Sequence, residues 1–240
     1  MNADKIKLIA FDLDGTLTQH KSPLSNETRD ILFELGKKYK LLMVGAGVCK
    51  RIFDQMGKFP IDIIGNYGMQ YAKYNKDTND IDIVENHTAF CDKSSCEERV
   101  TYLRNKFGFL DFKGENVEFH PSGAVTFPIL GTKANLDDKL KFDPDRSKRR
   151  KILQEVTELF SDYNVFVGGS SSFDMAPKPF NKYYALDKYC KELGILHDEA
   201  VFVGDDYGPG GNDESVYLSD FNFIKIDNYL EFKEKIKILL

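Results

Sequence analysis

No stretch of this 240-residue chain approaches the ~18–20 consecutive apolar residues of a membrane-spanning helix, so no span is expected. Positive charge is not in surplus either, with 33 basic residues against 38 acidic ones and a net charge of -5. That balance argues against a dedicated nucleic-acid binder, which needs clustered cations for phosphates. Cysteine is scarce. Cys49, Cys91, Cys96 and Cys190 are too few and too irregularly spaced for a disulfide framework at this length. Cys91 and Cys96 have no second pair and no ligating histidine nearby, so a zinc site is not expected. Reduced, structural thiols in a cytoplasmic protein are the expectation. Repeats and low-complexity segments are also lacking. Met1 to Ile6 run straight into a strand-like stretch, so no signal peptide is expected ahead of the fold. What the chain does have is core material, at 42% apolar and 13% aromatic, which excludes global disorder. The length fits one large domain or two small ones.

The ends of the chain alternate between strand and helix patterns. Ile6–Phe11 is a buried-strand run. Ser25 opens a helix with Ile31, Leu32 and Leu35 at helical spacing. Leu41–Val44 is a second strand, a helix carries Ile52, Phe53 and Met56, and Ile61–Ile64 is a third strand. Such alternation predicts parallel βαβ units. From about Tyr71 the rhythm changes. A hairpin is expected at Tyr71–Tyr74 and Ile81–Val84, then helices at Ser95–Phe107 and Ser147–Phe160. Strands are expected at Val117–His120, Ala124–Ile129 and Val165–Phe173. The α/β pattern resumes with a helix at Tyr183–Leu193, strands at Ala200–Val203 and Phe221–Ile226, and a helix at Tyr229–Leu239. The fold class is α/β, a Rossmann-like parallel-sheet core built from residues 1–82 and 183–240, with an inserted α+β domain at residues 83–182.

The chemistry-bearing residues lie at strand ends, which border the ligand crevice of an open parallel sheet. Asp12-Leu13-Asp14-Gly15-Thr16 follows the first strand. Its two carboxylates can reach one bound atom, and Gly15 lets the backbone turn tightly. A helix-capping polar loop is the plainer explanation. Val203-Gly204-Asp205-Asp206 and Pro209-Gly210-Gly211-Asn212-Asp213 follow another strand. Carboxylates gathered at two strand ends suit a hard divalent cation such as Mg²⁺, and without one they would repel each other. Lys182 begins a helix, where the dipole disfavours a cation, which hints at an anionic partner, although taken alone a solvated surface lysine is the better explanation. Gly45-Ala46-Gly47 exposes backbone N–H groups to an anion, though turn geometry explains these glycines equally well.

In this order the pieces resemble the haloacid dehalogenase superfamily of phosphoryl-transfer enzymes, whose cap domain the insert also resembles. The resemblance implies Asp12 as the nucleophile forming an aspartyl-phosphate, Asp14 as acid/base and Lys182 as a cationic clamp. It further implies Asp12, Asp205 and the Asp14 backbone carbonyl as Mg²⁺ ligands, Asn212 and Asp213 behind them, and Ala46 and Gly47 as the phosphate loop. Within that superfamily the chain is similar to the eukaryotic-type phosphomannomutases. Gly168-Gly169-Ser170-Ser171-Ser172-Phe173-Asp174-Met175-Ala176-Pro177 and the Gly204-to-Glu214 loop carry that likeness. It implies Ser172 and Asp174 as substrate-binding residues, with two copies pairing through the cap.

The departures point the other way. That family holds the distal phosphate with arginines, whereas the corresponding positions here read Lys21, Pro121, Thr132 and Lys139, with His120 and Lys133 alongside. Lys21 and Lys139 are still expected to bind the substrate, but lysine does not replace a bidentate arginine. The expectation is therefore Mg²⁺-dependent phosphoryl transfer on a phosphorylated sugar, by hydrolysis in preference to the mutase alternative, with no nucleic-acid or membrane partner. A receiver-like signalling domain is a non-enzymatic alternative, but it would need neither the insert nor the second aspartate. A catalytically idle sugar-phosphate binding module is disfavoured, because every chemical residue is present.

Overall fold

In chain order, β1 (Leu8–Phe11), α1 (Asn26–Leu35), β2 (Lys40–Val44), α2 (Cys49–Gln55), β3 (Asp62–Gly65), β4 (Gln70–Asn75) and β5 (Asp80–Asn86) open a computed structural model that describes residues 1–240. There follow α3 (Lys93–Phe107), β6 (Glu118–Phe119), β7 (Val125–Pro128), α4 (Leu136–Phe142), α5 (Ser147–Leu159), β8 (Tyr163–Phe166) and β9 (Ser172–Pro177). The chain closes with α6 (Lys182–Leu193), β10 (Ala200–Gly204), α7 (Glu214–Tyr217), β11 (Asn222–Lys225) and α8 (Phe232–Ile236). It divides into two units. Met1–Asn86, Asn181–Gly208 and Asp213–Leu240 form the first, and His87–Phe180 with Pro209–Asn212 the second.

The first unit is a seven-stranded sheet in the order β11-β10-β1-β2-β3-β4-β5. The run from β11 to β3 is parallel. β1 reads apolar at every position because both of its faces are covered. Ile9 and Phe11 pack with Leu32, Ile52, Phe53 and Phe232 from α1, α2 and α8. Leu8 and Ala10 pack with Ala185, Leu186 and Tyr189 of α6. The strand order reverses between β1 and β10, which makes a topological switch point there. No helix is long and apolar enough to cross a membrane.

The second unit is an antiparallel sheet in the order β6-β7-β9-β8, packed on α3 and α5 through Val100, Leu103, Ile152, Val156, Phe127 and Phe173. Cys91, just before the Asp92 cap of α3, meets Cys96 with 3.9 Å between sulfurs. The pair occupies the positions of a hydrophobic staple, which accounts for both thiols. Arg149 and Asp143 form a buried ion pair at 2.9 Å. The same guanidinium donates to the carbonyls of Gly168 (2.6 Å), Gly169 (3.2 Å) and Ser172 (3.0 Å).

Three expectations need correction. The hairpin β4–β5 extends the core sheet, since β4 pairs antiparallel with β3 and β5 keeps pairing as far as Asn86. The units therefore divide after Asn86 and after Phe180, not at 82 and 182, and Pro209–Asn212 joins the second unit. The single strand expected at 165–173 is two strands, β8 and β9, separated by the turn that Arg149 pins.

His197 ties the turn after α6 to the entry of β11. Its Nε2 lies 3.0 Å from Asp187, its Nδ1 lies 2.6 Å from Asp220, and its ring stacks on Phe221 at 3.9 Å. Burial opposes the charged ring, but the bonds to Asp220 and Asp187 outweigh it and hold the pKa above the ordinary value. A raised folded-state pKa stabilises fully below the unfolded value of about 6.5, and the contribution is lost as pH rises through the folded value. His197→Gln should therefore lower Tm at pH 5.5 and bring it close to the wild-type value at alkaline pH. Thermal melts of both proteins across that range check this, and a Tm gap that stays constant with pH would contradict it.

Candidate active site

β1 delivers Asp12 to the switch point. The Asp12 N–H donates to Val203 O at 2.9 Å, extending the pairing with β10 one residue beyond the strand. The chain then turns at Gly15, whose φ of +96° is strained for any other residue. A Cβ there would overlap the Asp205 carboxylate, so the glycine also makes room for the end of β10. Thr16 Oγ1 donates to Asp205 Oδ1 at 2.9 Å and ties the two loops together. From the other face, Asn181 caps α6 by accepting from the Tyr184 N–H at 2.8 Å, which places Lys182 in the first turn.

That lysine is wholly buried, and its ammonium donates to Asp12 Oδ1 and to Asp213 Oδ1, each at 2.6 Å. The anionic partner hinted at by its place in α6 is thus a pair of carboxylates. Burial pushes the ammonium toward its neutral form, yet Asp12 and Asp213 more than reverse this and hold its pKa above the ordinary lysine value. Burial, opposed by Lys182 and reinforced by Asp205, raises Asp12 to about 6. Asp213 is raised to about 6 by burial, with Lys182 opposing and Asp12 reinforcing. Asp205, raised by burial and by Asp213, also reaches about 6. Oxygens of Asp12, Asp205 and Asp213 lie within 4.8 Å of one another. Three crowded carboxylates with one ammonium among them leave negative charge uncompensated. An all-oxygen donor set of this kind fits a hard divalent cation. Asp213, expected behind the metal, contributes a carboxylate to this group.

The Asp14 carboxylate is not in the triad. It accepts from the Lys21 N–H (2.7 Å) and Gln55 Nε2 (2.7 Å) and lies 3.4 Å from the Arg51 guanidinium. Burial favours its neutral form, but those donors outweigh it and hold its pKa below the ordinary value. In the loop expected to bind phosphate, the Gly45 N–H is given to Ile64 O at 2.9 Å and the Cys49 N–H to Gln70 Oε1 at 3.1 Å. Ala46 and Gly47 stand between these committed donors.

In the second unit, Asp174 Oδ1 accepts from Thr126 Oγ1 (3.0 Å) and Ser172 Oγ (3.4 Å), and Thr126 Oγ1 meets His120 Nε2 at 3.0 Å. Ser172 Oγ also donates to Gly168 O at 3.1 Å. Lys139 Nζ donates to the carbonyl of Thr132 at 3.1 Å. Asn212 lies in the segment that groups with this unit.

The sequence model of the eukaryotic phosphomannomutases matches residues 28–226, most of the chain. The chain belongs to the eukaryotic phosphomannomutase family. A phosphomannomutase of Nicotiana benthamiana is 28% identical over 233 residues, covering 92% of this chain and 88% of its own length. A probable phosphomannomutase of Caenorhabditis elegans is 24% identical over 232 residues, covering 89% and 87%. Among solved structures, a haloacid dehalogenase-like hydrolase of Bacillus subtilis superposes with a TM-score of 0.62 at 17% identity, covering 92% of this chain and 89% of that one. An IMP-bound IMP-nucleotidase of Plasmodium falciparum gives a TM-score of 0.68 at 16% identity, covering 98% and 68%. These two likenesses establish the haloacid dehalogenase fold. This phosphomannomutase-family chain is accordingly an enzyme of the haloacid dehalogenase phosphotransferase type. The preference for hydrolysis over the mutase alternative drew on the missing arginines, and the family relationship favours the alternative.

Four contributors are not assigned by the motifs. Thr16 lay inside the first motif without a role. Arg51 and Gln55, one helical turn apart on α2, carry no motif and become visible only through Asp14. Arg149 shapes the turn between Val167 and Ser172 from a distant helix.

Proposed function

We propose that this protein is a Mg²⁺-dependent hexose-phosphate mutase working through an aspartyl-phosphate on Asp12. The family match supports transfer to a sugar, and the buried Lys182 ammonium, 2.6 Å from both Asp12 and Asp213, carries the assignment of Asp12 as nucleophile. Lys182 occupies Asp12 Oδ1, so Oδ2 is the oxygen that attacks phosphorus. In one half of the cycle Asp14, held ionised by its donors, accepts the proton of the free hydroxyl of hexose 1-phosphate as that oxygen attacks the phosphorylated Asp12, which forms hexose 1,6-bisphosphate. In the other half Asp12 Oδ2 takes the 1-phosphoryl group, the P–O bond to the sugar breaks, and Asp14 returns its proton to the departing sugar oxygen. Hexose 6-phosphate leaves, and the phosphorylated Asp12 is regenerated. Mg²⁺ held by Asp12, Asp205 and Asp213 would offset negative charge on the transferring phosphoryl group. Ser172 and Asp174 would bind the sugar phosphate. Pairing of two copies through the second unit belongs to the same proposal.

Hydrolysis is the second reading, favoured by Lys139, whose ammonium is turned to the Thr132 carbonyl where the family holds an arginine. Both outcomes are read in one reaction by ³¹P NMR, using hexose 1-phosphate with catalytic hexose 1,6-bisphosphate. Hexose 6-phosphate should form several times faster than inorganic phosphate. Phosphate released faster than the isomer would overturn the mutase assignment in favour of hydrolysis.

A further inference from the structure

A phosphoryl group in transfer spreads charge over its oxygens, and each needs a donor. Several donors are already committed. Lys182 is buried between two carboxylates, and the Gly45 and Cys49 N–H groups already have acceptors. The loop ends in Gly47, which has no hydroxyl to offer. One turn further along α2 stands Arg51, and its guanidinium fills the space that a side chain at Gly47 would enter. A Cβ on Gly47 would overlap Nη2, Nε and Cζ of that guanidinium. The Arg51 side chain is 44% exposed, so a ligand can reach it. Both of its polar contacts use one terminal nitrogen, 2.8 Å from Gln55 Oε1 and 3.4 Å from Asp14 Oδ2. Nε and the second terminal nitrogen, the pair that forms a bidentate fork, are the atoms beside Gly47.

We propose that Arg51 is a phosphoryl-binding residue which takes the place of a loop hydroxyl. The fork of Nε and the second terminal nitrogen holds two oxygens of the transferring group. The contact to Asp14 runs through the other terminal nitrogen and is kept, so one guanidinium links the held group to the acid/base carboxylate. This role rests on the phosphoryl-transfer reading above.

The test compares the wild type with Arg51→Ala, Arg51→Lys and Gly47→Ala, by steady-state kinetics and by calorimetric titration with inorganic phosphate. Arg51→Ala should lower kcat/KM by about 10²–10³-fold, as loss of a donor to a developing anion does elsewhere. Added guanidinium ion should restore part of that activity, whereas Arg51→Lys should restore little, because an ammonium cannot bind two oxygens at once. Gly47→Ala should fold normally, because only a flexible side-chain end must move, and should still show the same kind of loss. Inorganic phosphate should bind the Arg51→Ala protein at least tenfold more weakly. If the wild type is active and Arg51→Ala retains activity and phosphate affinity within twofold, the role of Arg51 is refuted while phosphoryl transfer stands. If the wild type transfers no phosphoryl group but its phosphate affinity depends on Arg51, the reaction assignment fails and the phosphoryl site stands.

Discussion

Asn in place of Asp12 is expected to reduce turnover by roughly 10⁴–10⁶-fold, the scale on which a covalent catalyst loses its nucleophile. The amide has nearly the same shape but cannot attack phosphorus. The loss should not come from unfolding. Lys182 keeps its 2.6 Å bond to Asp213, and one of three crowded carboxylates disappears. In metal-free buffer the variant should melt at or above the wild-type temperature. Mg²⁺ should raise its Tm less than that of the wild type, because one oxygen donor has been exchanged for a weaker one. Parallel kinetics and melts with and without Mg²⁺ check both statements. A variant retaining a tenth of wild-type activity would remove the covalent route.

Lys182→Met should show the largest stability effect. The methionine fits the volume of the stem but leaves Asp12 and Asp213 buried without their cation. Removing one partner of a buried ionic group destabilises by roughly 3–5 kcal/mol. The defect has a definite pH sense. The native carboxylates already take up protons near pH 6, above their ordinary values, and without the ammonium they will do so at higher pH still. Where the folded state binds more protons than the unfolded one, stability falls as pH rises. The variant should therefore lie closest to the wild type at pH 5 and furthest from it at pH 8. Urea unfolding midpoints at the two pH values measure this. A defect below 1 kcal/mol, or one independent of pH, would show that the ammonium does not balance these carboxylates.

What the amino-acid order reveals depends on whether a feature is local. β1, β2 and β10 are legible because burial on both faces leaves uninterrupted apolar runs, and the motif at Asp12 follows one of them directly. α4 is not legible because none of its residues is buried, so it carries no apolar stripe. The run at 229–239 reads as one helix, yet only Phe232–Ile236 is α-helical, with 3₁₀ turns on either side. The break between β8 and β9 depends on Arg149, which lies in another helix and signals nothing at the turn itself. The same limit applies to the site. Asp12, Lys182 and Asp205 stand out at element ends, but the direct share of Asp213 in the carboxylate group arises from a fold that brings it to Lys182 from 31 residues away.

The central place of β1 also dictates an order of events during synthesis. Leu8 pairs with Lys40 on one side and with Ala200 on the other. As a chain leaves the ribosome, the first partner follows promptly, while the second arrives on the order of 10–40 s later at ordinary elongation rates. Until then one edge of an entirely apolar strand is open, the kind of edge that recruits other chains. The residues that cover its second face, Ala185, Leu186 and Tyr189, emerge in the same late window. The intervening segment, with a separate apolar cluster of its own, can collapse meanwhile. The nascent protein thus spends much of its synthesis as a half-built sheet, and Asp12 meets Asp205 and Asp213 only when the last quarter of the chain arrives.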